Sequence, residues 1–337
     1  MRIVWTAGDM HGIGPEILLR SFLRLKDTGH RFLAAGSFRA LEYYRDRLCL
    51  PVGLAMVTDS RELHDRFPED DGTLTVLSVG EPDTVLPGTV SEQAGAIAMQ
   101  ALEAAAGLCR DGVCDAMVTA PLHKEAVALA GYRTTGHTDF LAGYFGCPLP
   151  VMLFVDPASS LKVALVTIHV PLKAVPELVG TIDLDGYFRF LSDALRRDFL
   201  IGSPSIAVLG LNPHASDGGV MGDEEALVIG PCIERLAKAM RIEGPFPADG
   251  FFGAKRYHAY DVVVAMYHDQ GLLPFKVLAF DTGINVTLGI PVVRTSPDHG
   301  TAFDQAGKGT ASERSFCEAT LLALKIAANR KTRRETS

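Results

Sequence analysis

Short runs of β-branched and other apolar residues alternate along this chain with longer stretches of helical periodicity. The runs that favour strands are residues 2–7, 31–35, 73–79, 115–119, 161–169, 205–211, 261–267 and 284–288. The helical stretches are residues 15–25, 92–109 behind Ser91 as N-cap, 184–199, 223–240 and 312–329. This alternation is typical of βαβ units, so the sequence predicts an α/β fold with a largely parallel sheet. Residues 330–337 are predicted to be a disordered tail.

The composition limits the partners of the chain. Its 337 residues, 47% of them hydrophobic, suffice for one large or two medium domains. A net charge of −8 disfavours nucleic acid and anionic membranes, which attract positive surfaces, but leaves small anionic substrates open. No window approaches the roughly 18 apolar residues of a membrane span, and the N-terminus starts with a strand pattern instead of a signal peptide. We therefore expect a globular cytoplasmic protein.

The pattern of the six cysteines also fits a cytoplasmic protein. They are scattered, and the closest pair, Cys109 and Cys114, lacks the second pair that a zinc knuckle requires. Free thiols in a reducing environment are the expected state.

Three histidines, His169, His214 and His268, each end an apolar strand pattern. Ligands of open α/β sheets bind beyond the carboxyl ends of the strands, so these imidazoles are expected to converge. Three neutral imidazoles leave one coordination position open, as in a catalytic divalent metal site. Hydrogen-bonded structural histidines are the alternative, because their spacing forms no local metal motif.

Carboxylates lie near the third histidine. Asp269 follows it directly, and Asp249 precedes the same strand. Either could fix the tautomer of an imidazole that binds a metal, or could instead cap a helix.

Several polar residues suit an anionic ligand. Lys276, Asn285 and Arg294 lie near element ends, where two cations and an amide could bind a phosphate or carboxylate. His137 and Thr138 stand at a predicted helix start, where backbone N–H groups favour anions. Solvated surface charge and a capped turn are the alternatives.

Two glycine-rich segments remain. Residues 8–16 (GDMHGIGPE) join the first strand to a helix but lack the Gly-x-Gly-x-x-Gly fingerprint of a Rossmann loop. Residues 298–309 (DHGTAFDQAGKG) precede the last helix and could be either a nucleotide-binding loop or a solvent loop.

Motifs spread along the chain resemble one family. They are residues 8–16, 118–124 (VTAPLHK), 136–138 (GHT), 211–215 (LNPHA), 221–225 (MGDEE), 244–249 (GPFPAD), 265–271 (AMYHDQG) and 294–302 (RTSPDHGTA). In this order they are similar to the 4-hydroxythreonine-4-phosphate dehydrogenase family of pyridoxal phosphate biosynthesis. The resemblance implies the fold of isocitrate and isopropylmalate dehydrogenases, with two domains around a central cleft that bind NAD without the Rossmann fingerprint.

The resemblance implies roles for particular residues. His169, His214 and His268 would bind one divalent cation per subunit (zinc, magnesium or cobalt). The phosphorylated substrate would be bound by His137, Thr138, Lys276, Asn285 and Arg294. The loop 299–309 resembles an adenosine-binding loop, in which NAD or NADP would be bound by His299, Gly300, Thr301, Ala302 and Asp304.

It also implies an assembly and a reaction. The protein would be a homodimer with its active site at the subunit interface, where His268 reaches the metal held by the partner's His169 and the partner's His214. The strand 115–119 and the following turn are the expected crossing between domains. Residues 1–125 with 295–337 would bind NAD(P), and residues 126–294 would bind metal and substrate and dimerise.

The resemblance also implies the reaction. The secondary hydroxyl of 4-phosphooxy-L-threonine would be oxidised, and decarboxylation would give 3-amino-2-oxopropyl phosphate; the catalytic base is not identified.

One motif departs from the family pattern. Met10 and His11 replace a Pro-Ala pair in the first loop, so His11 is a candidate for lining the substrate site. Oxidation of 4-phosphothreonate or 4-phosphoerythronate is therefore an alternative activity. A phosphate acyltransferase or a non-catalytic phosphometabolite-binding protein is a further alternative, although neither needs three strand-end histidines.

Overall fold

The computed structural model describes residues 1–65, 67–68, 72–134, 136–147 and 150–335. The strands are β1 (Arg2–Thr6), β2 (Arg31–Gly36), β3 (Gly53–Val57), β4 (Thr73–Ser78), β5 (Ala116–Thr119), β6 (Val151–Val155), β7 (Lys162–Leu165), β8 (Ser205–Leu209), β9 (Arg241–Phe246), β10 (Val262–Ala265), β11 (Ile284–Leu288) and β12 (Arg294–Pro297). The helices are α1 (Gly14–Leu25), α2 (Phe38–Arg47), α3 (Ser60–Asp65), α4 (Glu92–Arg110), α5 (Lys124–Leu129), α6 (His137–Phe145), α7 (Val175–Thr181), α8 (Leu184–Asp198), α9 (Gly230–Leu236), α10 (Ala248–Gly253), α11 (His268–Ala279) and α12 (Arg314–Glu335).

The chain divides into two compact units. Unit 1 comprises Met1–Pro150 and Gly289–Ala328, and unit 2 comprises Val151–Leu288 with the residues from Asn329 onward. Residues 126–150, expected in the metal- and substrate-binding domain, thus belong to the unit that contains the glycine-rich loops. The assignment of functions to the two units stays a prediction.

Unit 1 is built on parallel strands in the order β3-β4-β2-β1-β5-β12. Trp5 on the central strand is fully buried, stacks on Phe32 with centroids 4.5 Å apart, and donates its indole N–H to Thr320 of α12 at 3.1 Å. The predicted cap of α4 is confirmed, since Ser91 accepts a hydrogen bond from the backbone N–H of Ala94. The apolar runs of the sequence therefore became the buried centre of a parallel sheet.

Unit 2 has the strand order β11-β6-β7-β10-β8-β9. The strands β7, β10, β8 and β9 run parallel, whereas β6 is antiparallel to both β11 and β7. The adjacent parallel strands β7, β10 and β8 end at the same edge, and the segments that follow them carry the three predicted metal ligands. The predicted α/β class with largely parallel pairing is confirmed in both units.

Several predicted elements need correction. The strands 161–169, 205–211 and 261–267 end earlier than predicted, at Leu165, Leu209 and Ala265. His169 therefore lies beyond its strand instead of at its last residue, and His214 and His268 lie further beyond theirs than predicted. The predicted helix 223–240 begins as a π-helical turn, Glu225–Ile229, and continues as the short α9. Pro231 explains this break, because its nitrogen has no hydrogen to continue the bonding pattern.

The predicted disordered tail is also wrong where the structure describes it. Helix α12 continues to Glu335, while residues 336–337 lie outside the described part. Arg330 donates from Nε and Nη2 to the buried carboxylate of Asp198, at 2.7 and 3.0 Å. Arg197 donates to the same carboxylate at 2.7 and 2.9 Å, so the last turns of α12 are held by a buried ion pair.

Candidate active site

The structure brings two of the three predicted metal ligands together. The ring centroids of His169 and His268 lie 5.6 Å apart in the same chain. Beyond β7 the chain stays bonded to the end of β10, because the N–H groups of Val166 and Thr167 donate to the carbonyls of Ala265 and Met266. This pairing of neighbouring segments carries His169 to His268.

Asp269 and Gln270, the two polar residues after His268, make different hydrogen bonds. The Nδ1 atom of His268 lies 2.7 Å from a carboxylate oxygen of Asp269, and the N-cap position of α11 is Tyr267, so Asp269 is not the cap. Gln270 accepts from the N–H of Met266 at 2.7 Å and donates to the carbonyl of Gly210 at 2.6 Å. Asp269 therefore orients an imidazole, and Gln270 ties the ends of β10 and β8 together.

His214 has an unusual backbone. It begins a run of four non-glycine residues with positive φ, the others being Ala215, Ser216 and Asp217. Such a conformation is costly for residues with a Cβ. Across the described residues, no group of three or more His, Cys, Asp or Glu side chains is arranged to hold a metal ion. His214 is thus not brought into a cluster with the other two, and Asp249 lies in the first turn of α10.

A buried cation lies in unit 1. Arg294 on β12 is 3% exposed, and its Nε and Nη2 atoms donate to the hydroxyl of Thr119 at 3.2 and 2.7 Å. Burial lowers the pKa of Arg294 to about 9, which still leaves it charged at neutral pH. The site therefore offers a fixed positive charge in a poorly solvated setting.

His137 lies at the first position of α6, with Thr138 next to it. Burial of the ring and the charge of Arg294 hold the pKa of His137 well below its usual value, although a hydrogen bond with the backbone of Ala120 acts in the opposite direction. His137 is consequently neutral at pH 7.

The remaining two predicted substrate ligands belong to unit 2. Lys276 lies on α11, and Asn285 lies on β11 with 8% exposure. The side-chain oxygen of Asn285 is buried without a hydrogen-bond partner among the described residues, a costly state that a ligand or water would relieve.

The predicted cofactor loop is held by several parts of unit 1. The carbonyl of Thr301 accepts from the N–H of Ile13 at 3.0 Å, and Phe303 stacks on the ring of His123 with centroids 4.5 Å apart. The ring of His299 lies 3.1 Å from the carbonyl of Gly300, Ala302 has a positive φ of 42°, and Asp304 is exposed. His123 lies within the motif 118–124 but had no predicted role, because stacking on a residue 180 positions away leaves no local signal in the sequence.

His11 is 2% exposed. Its Nδ1 lies 3.0 Å from the carbonyl of Thr89, and its own carbonyl accepts from the N–H of Gly88 at 2.7 Å. Next to it, a side chain on Gly12 would meet the carbonyl of Thr301 at 2.8 Å. His11 is thus a buried contact between the first loop and residues 88–89.

Comparisons with known proteins decide the family. The model of the family "Pyridoxal phosphate biosynthetic protein PdxA" matches residues 29–323. A 4-hydroxythreonine-4-phosphate dehydrogenase from Prosthecochloris aestuarii is 60% identical over 331 residues, which cover 97% of each chain. The chain belongs to the PdxA family. The resemblance seen in the motifs is therefore confirmed.

Solved structures agree with this membership. The crystal structure of the 4-hydroxythreonine-4-phosphate dehydrogenase from Klebsiella pneumoniae matches with a TM-score of 0.81 at 35% identity, covering 97% of this chain and 99% of that one. A β-decarboxylating dehydrogenase from Thermococcus kodakarensis matches with a TM-score of 0.50 at 16% identity, covering 98% of this chain and 87% of that one, which shows a likeness of fold alone. As a PdxA family member with relatives named as dehydrogenases, the protein is an enzyme of the dehydrogenase type. None of the helices in the described ranges has the length and apolar character needed to cross a membrane.

Proposed function

We propose that this enzyme oxidises 4-phosphooxy-L-threonine at its secondary hydroxyl with NAD or NADP, and that the product loses CO2 to give 3-amino-2-oxopropyl phosphate. The observation that carries the proposal is the 60% identity, over nearly the whole chain, to a 4-hydroxythreonine-4-phosphate dehydrogenase. NAD or NADP, when bound, would accept the hydride, and the hydroxyl proton would leave to a base. The carbon–carbon bond to the carboxylate then breaks, and its electron pair is protonated at carbon.

The buried arginine supports a phosphorylated substrate. The guanidinium of Arg294 is held by a neutral hydroxyl, that of Thr119, and can bind two phosphate oxygens at once. His137 and Thr138 at the first turn of α6 would add a neutral ring, a hydroxyl and backbone N–H groups. Lys276 and Asn285 are the further proposed ligands of this substrate.

The histidine pair supports a divalent metal. Two imidazoles with centroids 5.6 Å apart can contact one ion, and Asp269 on Nδ1 of His268 leaves Nε2 of that ring as the donor. The imidazole of His214 would supply the third nitrogen ligand. An ion such as Zn²⁺, Mg²⁺ or Co²⁺ bound here would polarise the hydroxyl and keto oxygens of the substrate. Asp249 is a further candidate for orienting these ligands.

The loop 299–309 supports a nicotinamide cofactor. Its carbonyls and ring contacts tie it to other parts of unit 1, which suits a preformed binding surface. His299, Gly300, Thr301, Ala302 and Asp304 are the residues proposed to contact NAD or NADP.

An exposed apolar face supports a homodimer. Leu273, Val277 and Phe280 follow one another at helical spacing and are 66, 79 and 78% exposed. The opposite face of α11 is buried through Leu272, Phe275 and Ala279. Because α11 begins at His268, a second copy covering this face would lie next to the proposed metal ligands. The proposed location is the cytoplasm, a reducing compartment in which the six cysteines would stay free thiols.

A substrate screen tests the proposal. NAD and NADP reduction is measured with 4-phosphooxy-L-threonine, 4-phosphothreonate and 4-phosphoerythronate, before and after metal removal by a chelator. We expect the first substrate to give the highest kcat/KM and chelation to abolish turnover. Preference for either acid would move the enzyme to the alternative activity, and the absence of reduction with all three would refute the dehydrogenase reaction on this substrate class.

A further inference from the structure

Two arginines on separate helices bind the end of the loop 299–309. Arg47, the last residue of α2, donates from Nε to the carbonyl of Gly307 at 2.8 Å. Arg20 on α1 donates from Nη2 to the carbonyl of Gly309 at 2.9 Å. Both glycines have positive φ, 71° and 74°, a conformation that side chains disfavour. The two accepting carbonyls therefore belong to a turn whose shape requires glycine.

Arg20 is itself held in place. Its Nε lies 3.3 Å from a carboxylate oxygen of Glu16, one helical turn earlier and fully buried. The same oxygen accepts from the N–H of Ala311 at 3.2 Å. Arg20 thus binds Gly309 and Glu16 binds Ala311, so the chain is fixed at the point where the loop ends and leads towards α12.

We infer that Arg20 and Arg47 are positioning residues for the cofactor: they hold residues 307–309 so that the loop 299–309 keeps the shape that binds NAD or NADP. This inference rests on the proposed function of the loop. Neither arginine needs to touch the cofactor. Binding to a preformed loop avoids the entropy cost of ordering it, so loss of a guanidinium contact should weaken cofactor binding in particular.

The test measures dissociation constants of NAD⁺ and NADP⁺ by titration calorimetry on the full-length protein. The variants are Arg47→Ala, Arg20→Ala, Arg47→Met and Arg47→Lys. The matched control is Arg45→Ala, because Arg45 lies on the same helix but pairs with Asp46 and Glu42. Thermal midpoints and the KM of the phosphorylated substrate are measured alongside.

We expect Arg47→Ala and Arg20→Ala each to raise the dissociation constant of the preferred cofactor about tenfold. The KM of the phosphorylated substrate should change by less than about twofold, and Arg45→Ala should bind the cofactor like the wild type. Arg47→Lys should recover part of the affinity, since an ammonium group can still donate one hydrogen bond.

Other outcomes overturn the inference. Folded Arg47→Ala and Arg20→Ala that bind the cofactor as tightly as the wild type would show that the contacts only stabilise the fold. Equal weakening in Arg45→Ala would show a general effect of charge. If the alanine variants do not fold, Arg47→Met decides by the same criterion, because it keeps an unbranched side chain but cannot donate to Gly307; wild-type affinity in that variant overturns the inference. A wild-type protein that binds neither cofactor refutes the proposed role of the loop itself. That outcome is distinct from variants whose cofactor affinity equals that of the wild type.

Discussion

His169 and His268 of one chain have ring centroids 5.6 Å apart and ring planes tilted by 41°. Their proximity follows from the parallel pairing of β7 with β10 and from the backbone bonds that continue past both strands. The family resemblance implies a different division, in which His268 joins the partner's His169 and the partner's His214. The geometry within one chain adds a second candidate division, in which His169 and His268 come from the same subunit.

Mixing inactive variants distinguishes the two divisions. His169→Ala, His214→Ala and His268→Ala should each be inactive alone, because two imidazoles hold a divalent ion poorly. We expect a mixture of His169→Ala with His214→Ala, after subunit exchange, to recover about a quarter of wild-type activity, since half of the dimers would carry one complete site. The mixture of His169→Ala with His268→Ala should stay inactive. Recovery in the second mixture alone would restore the arrangement implied by the family, and recovery in neither would place all three ligands in one chain.

Arg294→Lys should weaken substrate binding selectively. A lysine supplies one point charge where the guanidinium supplies a planar fork, so we expect the KM of the phosphorylated substrate to rise about tenfold or more. The dissociation constant of NAD⁺ should not change. Steady-state kinetics and calorimetry measure the two quantities. Arg235→Lys, at an exposed pair with Asp185, serves as control; an unaltered KM in Arg294→Lys would remove this residue from the phosphate site.

The neutral state of His137 predicts a pH dependence of stability. Burial and the charge of Arg294 lower its pKa in the folded state, whereas the unfolded chain takes up the proton below about pH 6.5. The free energy of unfolding should therefore fall as the pH drops from about 7 towards 5, by at most ~1.4 kcal/mol per pH unit from this group. His137→Gln should flatten that dependence in urea unfolding curves. Identical slopes in variant and wild type would contradict the shift.

The C-terminal ion pair predicts a loss of stability. Arg330→Ala removes two of the bonds to the buried Asp198 carboxylate, and we expect the free energy of unfolding to drop by about 2 kcal/mol. Burial opposes ionisation of Asp198, but the bonds from Arg197 and Arg330 outweigh it and lower its pKa. The stabilisation should thus be present above about pH 4 and be lost as the pH falls below it. Lys325→Ala, on the exposed side of α12, should leave stability near the wild-type value.

The parts of the fold set by local pattern were predictable from the sequence. The buried runs of β1, β5 and β8 and the amphipathic α8 carry their own periodicity. The end of α12 was not, because its order depends on Asp198, 132 positions away. Helix α11 was hidden as well: it contains Pro274, a residue that normally argues against a helix interior.

The candidate site was likewise predictable only in part from the sequence. Residue type and position beyond the strands indicated the three histidines, since the carboxyl ends of parallel strands share one edge. Which of them meet depends on strand order, and in unit 2 β10 lies between β7 and β8. The contacts of Arg20, Arg47 and His123 with the loop 299–309 join segments far apart in sequence, and so no local motif could reveal them.

The apolar outer face of α11 has a consequence for the newly made protein. A chain that has folded but has not met another copy presents Leu273, Val277 and Phe280 to water and to every other hydrophobic surface nearby. If the proposed homodimer forms through this face, the yield in a cell depends on how quickly copies encounter one another compared with capture by chaperones or aggregation. Slow expression at low concentration would lengthen the time that each chain spends as a monomer with this face exposed. Replacing Val277 with a charged residue would weaken dimerisation and increase the solubility of the monomer.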